Sequence, residues 1–332
     1  MTEKHMKKED IFLSVVIPIY DEEDSVEPLY REIVAAVDGL YRGFEIIFIN
    51  DGSPDDSLQK LKALHQLDKR VKVIDFRKNF GQSTAISAGF NYCSGDVVTT
   101  LDGDMQNDPA DIPLLVDKLL EGYDMVNGWR KNRQDKFFSK KLPSFFGNKL
   151  VSFITGVKLH DYGCSTRAFK REVVKNLTLY GEMHRYIPAI ASKMGIRFVE
   201  VPVNHRPRQH GKSKYGIGRT FRVVLDLISL KYLLSFSYRP LQIFGGIGIV
   251  MMGAGFLSGS YLTFVKYFQH QAIGGRPLLF FTILAFFLGV QLITLGLIAE
   301  MLTRVYHEGL NKNVYSIRET IGFENENIDD RT

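Results

Sequence analysis

The sequence predicts an α/β protein: a mostly parallel sheet with helices on both faces, then a membrane-surface helix, then a two-helix transmembrane hairpin. Three observations carry this. Short β-branched apolar runs alternate with helical patterns between residues 12 and 127, which is how βαβ units read. The fourth run ends in two carboxylates, Asp102 and Asp104, and open α/β sheets carry their ligand sites at strand ends. Residues 241–265 and 278–299 hold no charge over 25 and 22 positions, long enough to cross a hydrocarbon core about 30 Å thick.

The elements follow in order. FLSVVIPI at 12–19 is a buried first strand, and Ser25 is placed to cap a helix running to Val37. FEIIFIN at 44–50 is a second strand, ended by Asp51-Gly52-Ser53, with a helix expected over 55–65. Residues 71–76 are a third strand, and the turn at 78–82 leads into the helical STAISAGFNY. After the fourth strand, 97–101, Pro109 opens a helix to Leu120, and 124–127 form a short fifth strand. Residues 130–156 mix Arg130, Lys131, Arg133, Lys136, Lys140 and Lys141 with Phe137, Phe138, Phe145 and Phe146, a composition suited either to lipid headgroups or to an ordinary amphipathic helix. A second mixed unit spans 159–202, with a strand at 197–203. HRPRQHGKSKY at 205–215 is a glycine-broken basic loop, and 220–237 has helical apolar spacing with Arg222 and Lys231, as an interfacial helix would.

These readings divide the chain into an α/β domain at 1–215, interfacial helices at 216–239, two spans within 240–300 and a polar tail at 301–332. The net charge is +5, with 45% hydrophobic and 24% charged residues, enough to bury a core. Residues 205–239 alone carry eight Lys/Arg against Asp226, which points to a membrane surface or a phosphate ligand. No nucleic-acid motif accompanies that charge. Cys93 and Cys164 supply no disulfide framework or metal knuckle. With a polar N-terminus and a short run containing Pro18, a first strand is expected there and not a signal peptide. The loop between the spans carries only Lys266 and Arg276 while the flanks are richer in Lys and Arg, so both ends are expected in the cytoplasm. Gly255 and Gly259 could pack one span against another helix.

The candidate chemistry centres on DVVTTLDGDMQNDP at 96–109. Two carboxylates one glycine apart can turn toward one hard cation, and Mg²⁺ or Mn²⁺ is commonly held between carboxylates and substrate phosphates.

The pieces together resemble glycosyltransferase family 2, specifically its polyisoprenyl-phosphate glycosyltransferases. They are VVIPIYDEE, INDGSPDDS, RKNFGQSTAISAGF, LDGDMQNDP, GWRKNRQD, HDYGCSTRAF and GKSKY, followed by two spans. The resemblance runs from Leu13 to Tyr306 and departs at Asp21, where relatives usually carry Asn. It implies a GT-A type domain, a nucleotide-sugar donor, Mg²⁺ or Mn²⁺, a polyprenyl phosphate acceptor and an inverting reaction on the cytoplasmic leaflet of the inner membrane. A homo-oligomer is left open.

Residue by residue, the resemblance places Pro18, Tyr20 and Glu22 around the base and ribose, with Asp51 accepting from either and Lys78 beside the nucleotide. Asp102, Asp104 and Gln106 would hold the metal. Arg130 and Arg167 are candidates for phosphate contact, with structural ion pairs as the alternative. Arg206, Arg208, Lys212, Ser213, Lys214 and Tyr215 would close over the donor and acceptor phosphates. A leaving nucleotide diphosphate needs its new charge neutralised by a cation and Lys/Arg groups. A phosphate monoester nucleophile, with a second pKa of about 6, is already ionised at neutral pH. Asp161 would therefore position sugar or acceptor, with a base role left open.

UDP-glucose is the leading donor expected, with UDP-4-amino-arabinose derivatives, GDP-mannose and UDP-GlcNAc as alternatives and undecaprenyl phosphate as acceptor. A processive polysaccharide synthase is disfavoured because Trp129 lies in Gly-Trp-Arg and not in a Gln-x-x-Arg-Trp motif. A nicotinamide dehydrogenase is disfavoured because no G-x-G-x-x-G follows the first strand. A non-catalytic nucleotide-sugar-binding membrane adaptor is the rival of another class, and the intact Asp102, Asp104 and Gln106 argue against it.

Overall fold

The computed structural model describes residues 7–131, 149, 151–152, 155–177, 179, 181, 183–207, 240–309 and 315–323. The strands are β1 (Phe12–Ile19), β2 (Gly43–Asn50), β3 (Val71–Phe76), β4 (Val97–Thr100), β5 (Met125–Trp129), β6 (Arg167–Lys170), β7 (Phe198–Pro202) and β8 (Ile317–Ile321). They form one sheet in the order β7-β5-β6-β4-β1-β2-β3-β8. β1 pairs in parallel with β2 and β4, β2 with β3, and β5 with β7. β6 runs antiparallel between β4 and β5, and β8 antiparallel on β3. The mostly parallel α/β fold expected from the sequence is the fold observed.

Helices α1 (Glu23–Val37), α2 (Ser57–Leu67), α3 (Gln82–Tyr92), α4 (Ile112–Leu120), α5 (Arg171–Lys175) and α6 (Ile187–Ser192) accompany the sheet. Side chains alternate between two cores. Leu13, Val15, Ile17 and Ile19 of β1 pack with Val26, Leu29 and Ile33 of α1 and Leu115 of α4. Val16, Ile47, Ile49, Ile74 and Val98 face the other way, onto Ala85 and Phe90 of α3 and Val173 of α5. A strand buried on both faces reads as a continuous apolar run, which is why β1 to β4 were legible.

Three local readings differ. Ser25 lies inside α1, its hydroxyl donating to Glu22 Oε2 at 3.3 Å, and Glu22 holds the cap position. Pro109 opens a 3₁₀ turn, Pro109–Asp111, with Asp108 accepting from the Ala110 N–H, before α4 proper begins. The polar tail is not wholly a tail: Ile317–Ile321 returns to the sheet on β3. Its IRETI segment is too short and too polar to announce itself by periodicity, and tertiary pairing overrides that weak local signal.

Residues 227–312 form a second compact unit. It contains α7 (Pro240–Phe268) and α8 (Pro277–Gly309), both long and apolar enough to cross a membrane. A Cβ on Gly248 would lie 2.7 Å from Gly289 O, and one on Gly255 would lie 2.8 Å from Phe286 N. Glycine therefore lets the two backbones touch, and Thr282 Oγ1 donates to Ser258 Oγ at 2.8 Å across the same seam. Gly259 contributes less, its closest approach being Thr282 Cγ2 at 3.3 Å. The expected interfacial segment at 220–237 and the basic aromatic stretch from 132 to 148 lie outside the described residues.

Candidate active site

The site is built on the C-terminal ends of β1, β2, β3 and β4. Beyond β4 the chain turns through Asp102-Gly103-Asp104 against the end of β1. A Cβ on Gly103 would lie 2.5 Å from Ile19 Cδ1 and 3.1 Å from Pro18 O, so a side chain between the two carboxylates would have to displace the tip of Ile19. Met105 follows at φ 58°, a left-handed conformation held by burial of its side chain. Gln82 Nε2 donates to Asp102 Oδ1 at 2.6 Å, and Gln106 N–H donates to Asp104 Oδ1 at 3.2 Å. Both carboxylates remain part-exposed.

These oxygens suit a hard cation. Among the described residues no group of three or more His, Cys, Asp or Glu is placed to enclose a metal. Asp102 and Asp104 would therefore supply only part of a coordination sphere, with Gln106 on the same turn. That is the donor set Mg²⁺ uses when substrate phosphates and water complete it. Such a cation would neutralise charge developing on a leaving diphosphate.

Asp51 ends β2 with only 3% exposure. Its Oδ1 accepts from Phe80 N–H at 2.6 Å and its Oδ2 from Gly81 N–H at 2.9 Å. Burial pushes its pKa up, and these two donors offset part of that. Gly52, at φ 67°, presses on the backbone of Lys78 and Asn79, where a Cβ would meet Lys78 C at 2.5 Å. The Asp51 loop and the Lys78 loop thus form one clamp, and Lys78 projects outward with its ammonium 5.1 Å from the Phe80 ring centroid. Tyr20 is exposed and Pro18 and Glu22 part-exposed on the adjacent end of β1. Asp21 adopts φ 60° there, a conformation that Asn and Asp both tolerate, which gives the departure at this position a benign physical reading.

Arg130 is not a solvent-facing phosphate ligand here. Its Nε donates to Asp161 Oδ2 at 2.7 Å and one terminal nitrogen to Asp161 Oδ1 at 2.9 Å. Burial opposes its charge, yet the hydrogen bonds and charge of Asp161 hold its pKa above the ordinary arginine value. Asp161 is correspondingly positioned by this fork, and its Oδ1 also accepts from Gly163 N–H.

Arg167 lies deeper still, at 2% exposure. It donates to Asn127 Oδ1, Tyr162 O and His184 O at 2.8–2.9 Å. Burial pushes its pKa down to about 10. The expectation of phosphate contact is corrected: the guanidinium ties β6 to β5 and to the 183–186 turn. The mixed β6 pairing that buries it was invisible in the sequence.

Arg206 departs likewise. Its side chain donates to Glu32 Oε1 and Oε2 at 3.0 and 2.7 Å and meets Asp108 Oδ1 at 2.8 Å. Burial opposes the charge, but those carboxylates raise the pKa above its ordinary value. Its backbone N–H donates to Gln106 O at 2.8 Å, Asn107 bridges to His205, and Asn204 donates twice to Asp111. The start of the basic segment is thereby laid along the Asp104 turn. Arg208, Lys212, Ser213, Lys214 and Tyr215 lie outside the described residues.

Sequence reasoning missed Gln82 and the Ser83–His184 pair. Ser83 Oγ lies 2.8 Å from His184 Nδ1, and burial pushes the His184 pKa down to about 3. Gln82 and Ser83 open α3, and their place just after a glycine at a strand-to-helix turn was the signal available.

The sequence profile of Glycosyl transferase family 2 matches residues 14–178. The dodecaprenyl-phosphate galacturonate synthase of Rhizobium johnstonii is 40% identical over 311 residues, 92% of each chain. The chain belongs to glycosyl transferase family 2. Another relative in the family, the undecaprenyl-phosphate 4-deoxy-4-formamido-L-arabinose transferase of Edwardsiella ictaluri, is 36% identical over 93% of this chain and 94% of its own. Among solved structures, glucosyl-3-phosphoglycerate synthase from Mycobacterium tuberculosis, in complex with Mn²⁺, UDP and glucosyl-3-phosphoglycerate, shares the fold. The TM-score is 0.53 at 19% identity, covering 68% of this chain and 80% of that one. The family-2 membership makes this chain a glycosyltransferase with a GT-A type domain, as its motifs implied.

Proposed function

We propose that this glycosyltransferase moves a sugar from a UDP-sugar to the phosphate of a polyprenyl phosphate, with Mg²⁺ or Mn²⁺ at Asp102 and Asp104 and inversion at the anomeric carbon. The observation that carries the reading is the Asp102-Gly103-Asp104 turn at the end of β4, with His205 and Arg206, where the basic segment begins, bonded to Asn107 and Gln106 beside it. A cation held by Asp102 and Asp104 would neutralise charge on the leaving diphosphate, and the Lys/Arg content of residues 205–215 favours an anionic acceptor. In-line attack by an already ionised phosphate oxygen needs no strong base. Asp161, forked to Arg130, serves as a positioning carboxylate.

The relatives act on galacturonate and on 4-deoxy-4-formamido-L-arabinose, and neither name supports glucose. UDP-galacturonate therefore replaces UDP-glucose as the leading donor, and UDP-4-deoxy-4-formamido-L-arabinose is second. Both apolar helices fall between strands β7 and β8 of one sheet. That connectivity supports a hairpin entered and left from the same face of the membrane, and the Lys/Arg-rich flanks favour the cytoplasm.

The experiment is a donor panel. The full chain in lipid nanodiscs is supplied with undecaprenyl phosphate, Mn²⁺ and each UDP-sugar in turn, and lipid-linked sugar is resolved by chromatography. Product from a UDP-sugar supports the reading. UDP release with no lipid-linked product from any donor refutes the acceptor.

A further inference from the structure

We infer that β8, the strand that follows the apolar hairpin, belongs to the donor site, with Arg318 and Tyr315 as positioning residues for the loops at Asp51 and Lys78. This rests on the reading that those loops hold the nucleotide.

Two lines of contact run from the strand into that clamp. The first is ionic. Asp75 of β3 is fully buried, and its Oδ1 accepts from Asn50 Nδ2 at 2.7 Å. Among the described residues its Oδ2 has no hydrogen bond and meets one cation, Arg318, at 3.3 Å. Asn50 is the residue immediately before Asp51, and its Oδ1 accepts from Ser53 N–H at 3.4 Å. Ser53 Oγ in turn accepts from Asp21 N–H at 3.1 Å. Arg318 thus stands at one end of a chain, Arg318–Asp75–Asn50–Ser53–Asp21, that fixes the whole Asp-Gly-Ser loop. The same guanidinium donates to Arg77 O at 3.2 Å, and Arg77 N–H donates to Ser316 O at 3.0 Å. Those bonds hold the residue next to Lys78.

The second line is aromatic. Tyr315 stacks on Phe76 with centroids 5.2 Å apart, and Phe76 meets Phe80 edge-on at 5.6 Å. Phe80 supplies one of the two N–H donors to Asp51. Tyr315 OH accepts from Asn91 Nδ2 at 3.0 Å on α3, so the ring is fixed at both ends. Both sides of the Asp51 clamp therefore lean on a strand contributed from beyond the hairpin. Tyr315, Ser316 and Arg318, at and just before the start of β8, carry this role where an ordinary edge strand would only close the sheet.

The test measures UDP affinity by calorimetry in the presence of Mn²⁺, with the full chain in nanodiscs, beside the donor KM and kcat. Arg318→Met removes the cation but keeps the aliphatic stem. It leaves Oδ2 of the buried Asp75 without its counter-charge, which relaxes Asn50 and the Asp51 loop. Weakening of UDP binding by about tenfold is expected, equivalent to about 1.4 kcal/mol, with kcat at saturating donor little changed. Arg318→Lys should recover most of the affinity. Tyr315→Phe, which loses only the Asn91 bond, should weaken UDP binding by about two- to threefold.

Asp51→Asn serves as the reference. If it abolishes UDP binding while Arg318→Met binds UDP like the parent, the positioning role fails and the nucleotide reading stands. If the parent chain binds no UDP, the nucleotide reading fails and the inference with it. If Arg318→Met lowers kcat, affinity and melting temperature together and Arg318→Lys restores none of them, β8 is a general structural strand and the inference is overturned.

Discussion

Neutralising Arg206 tests whether its charge acts on the fold or on a phosphate. In the structure Arg206 forks onto Glu32 and also reaches Asp108, and its side chain is 32% exposed against 35% and 17% for the two carboxylates. Partial exposure keeps the Glu32 pair near the upper end of surface ion pairs, about 0.5–1 kcal/mol. The better-buried Asp108 contact brings the full loss on Arg206→Gln to about 1–2 kcal/mol. For a domain of this size each kcal/mol moves the melting temperature by about 2–4 °C. A double-mutant cycle of Glu32→Gln and Arg206→Gln, read by thermal melting and turnover, isolates the coupling. The expected result is a positive coupling, with each single variant lowering turnover by a similar factor of under about tenfold. Turnover falling 100-fold or more in Arg206→Gln, untouched in Glu32→Gln and with no coupling in melting, would refute the clasp. It would return Arg206 to a phosphate-binding role.

Other outcomes follow from the same geometry. Asp161→Asn leaves Arg130 buried without its counter-charge and should destabilise by about 3 kcal/mol; Asp161→Asn combined with Arg130→Gln should regain part of that in a melting curve, and no recovery would contradict the pair. His184 stays neutral in the fold with a pKa near 3, below its unfolded value of about 6.5, so the unfolded chain binds the extra proton between those values. Its contribution is complete above about pH 6.5 and erodes as pH falls, by about 1.4 kcal/mol at pH 5.5. In denaturant melts between pH 5 and 7, His184→Gln should flatten that slope, and an unchanged slope would contradict it. Asp104→Asn should cut turnover by orders of magnitude without lowering the melting temperature, and retained turnover would exclude Asp104 as a ligand. Reporter fusions near residue 270 and after residue 323 should place the first outside and the second in the cytoplasm; the reverse would overturn the orientation.

The sequence made the strand-end carboxylates legible because they follow predominantly apolar runs. β1 to β4 are predominantly apolar, β-branched runs, and Asp51, Asp102 and Asp104 come just after β2 and β4. What it hid depends on pairing between distant segments. β6 inserts antiparallel between β4 and β5, and that insertion buries Arg167, so a residue that looks like a phosphate ligand becomes a tie between strands. Arg206 looks like part of a closing loop until the Asn107–His205 bridge fixes its register on the Asp108 turn. β8 comes from a segment whose only apolar residues are two isoleucines, and only the exposed edge of β3 gives it a reason to be a strand.

The most direct test of the central reading is lipid-linked sugar formation from UDP-galacturonate and undecaprenyl phosphate, measured in nanodiscs with Mn²⁺, after chelation, and after Mn²⁺ is restored. The account predicts product with the metal, loss on chelation and recovery on restoration, with Asp102→Asn silent throughout. Undiminished product in chelator, or full activity of Asp102→Asn, would contradict it.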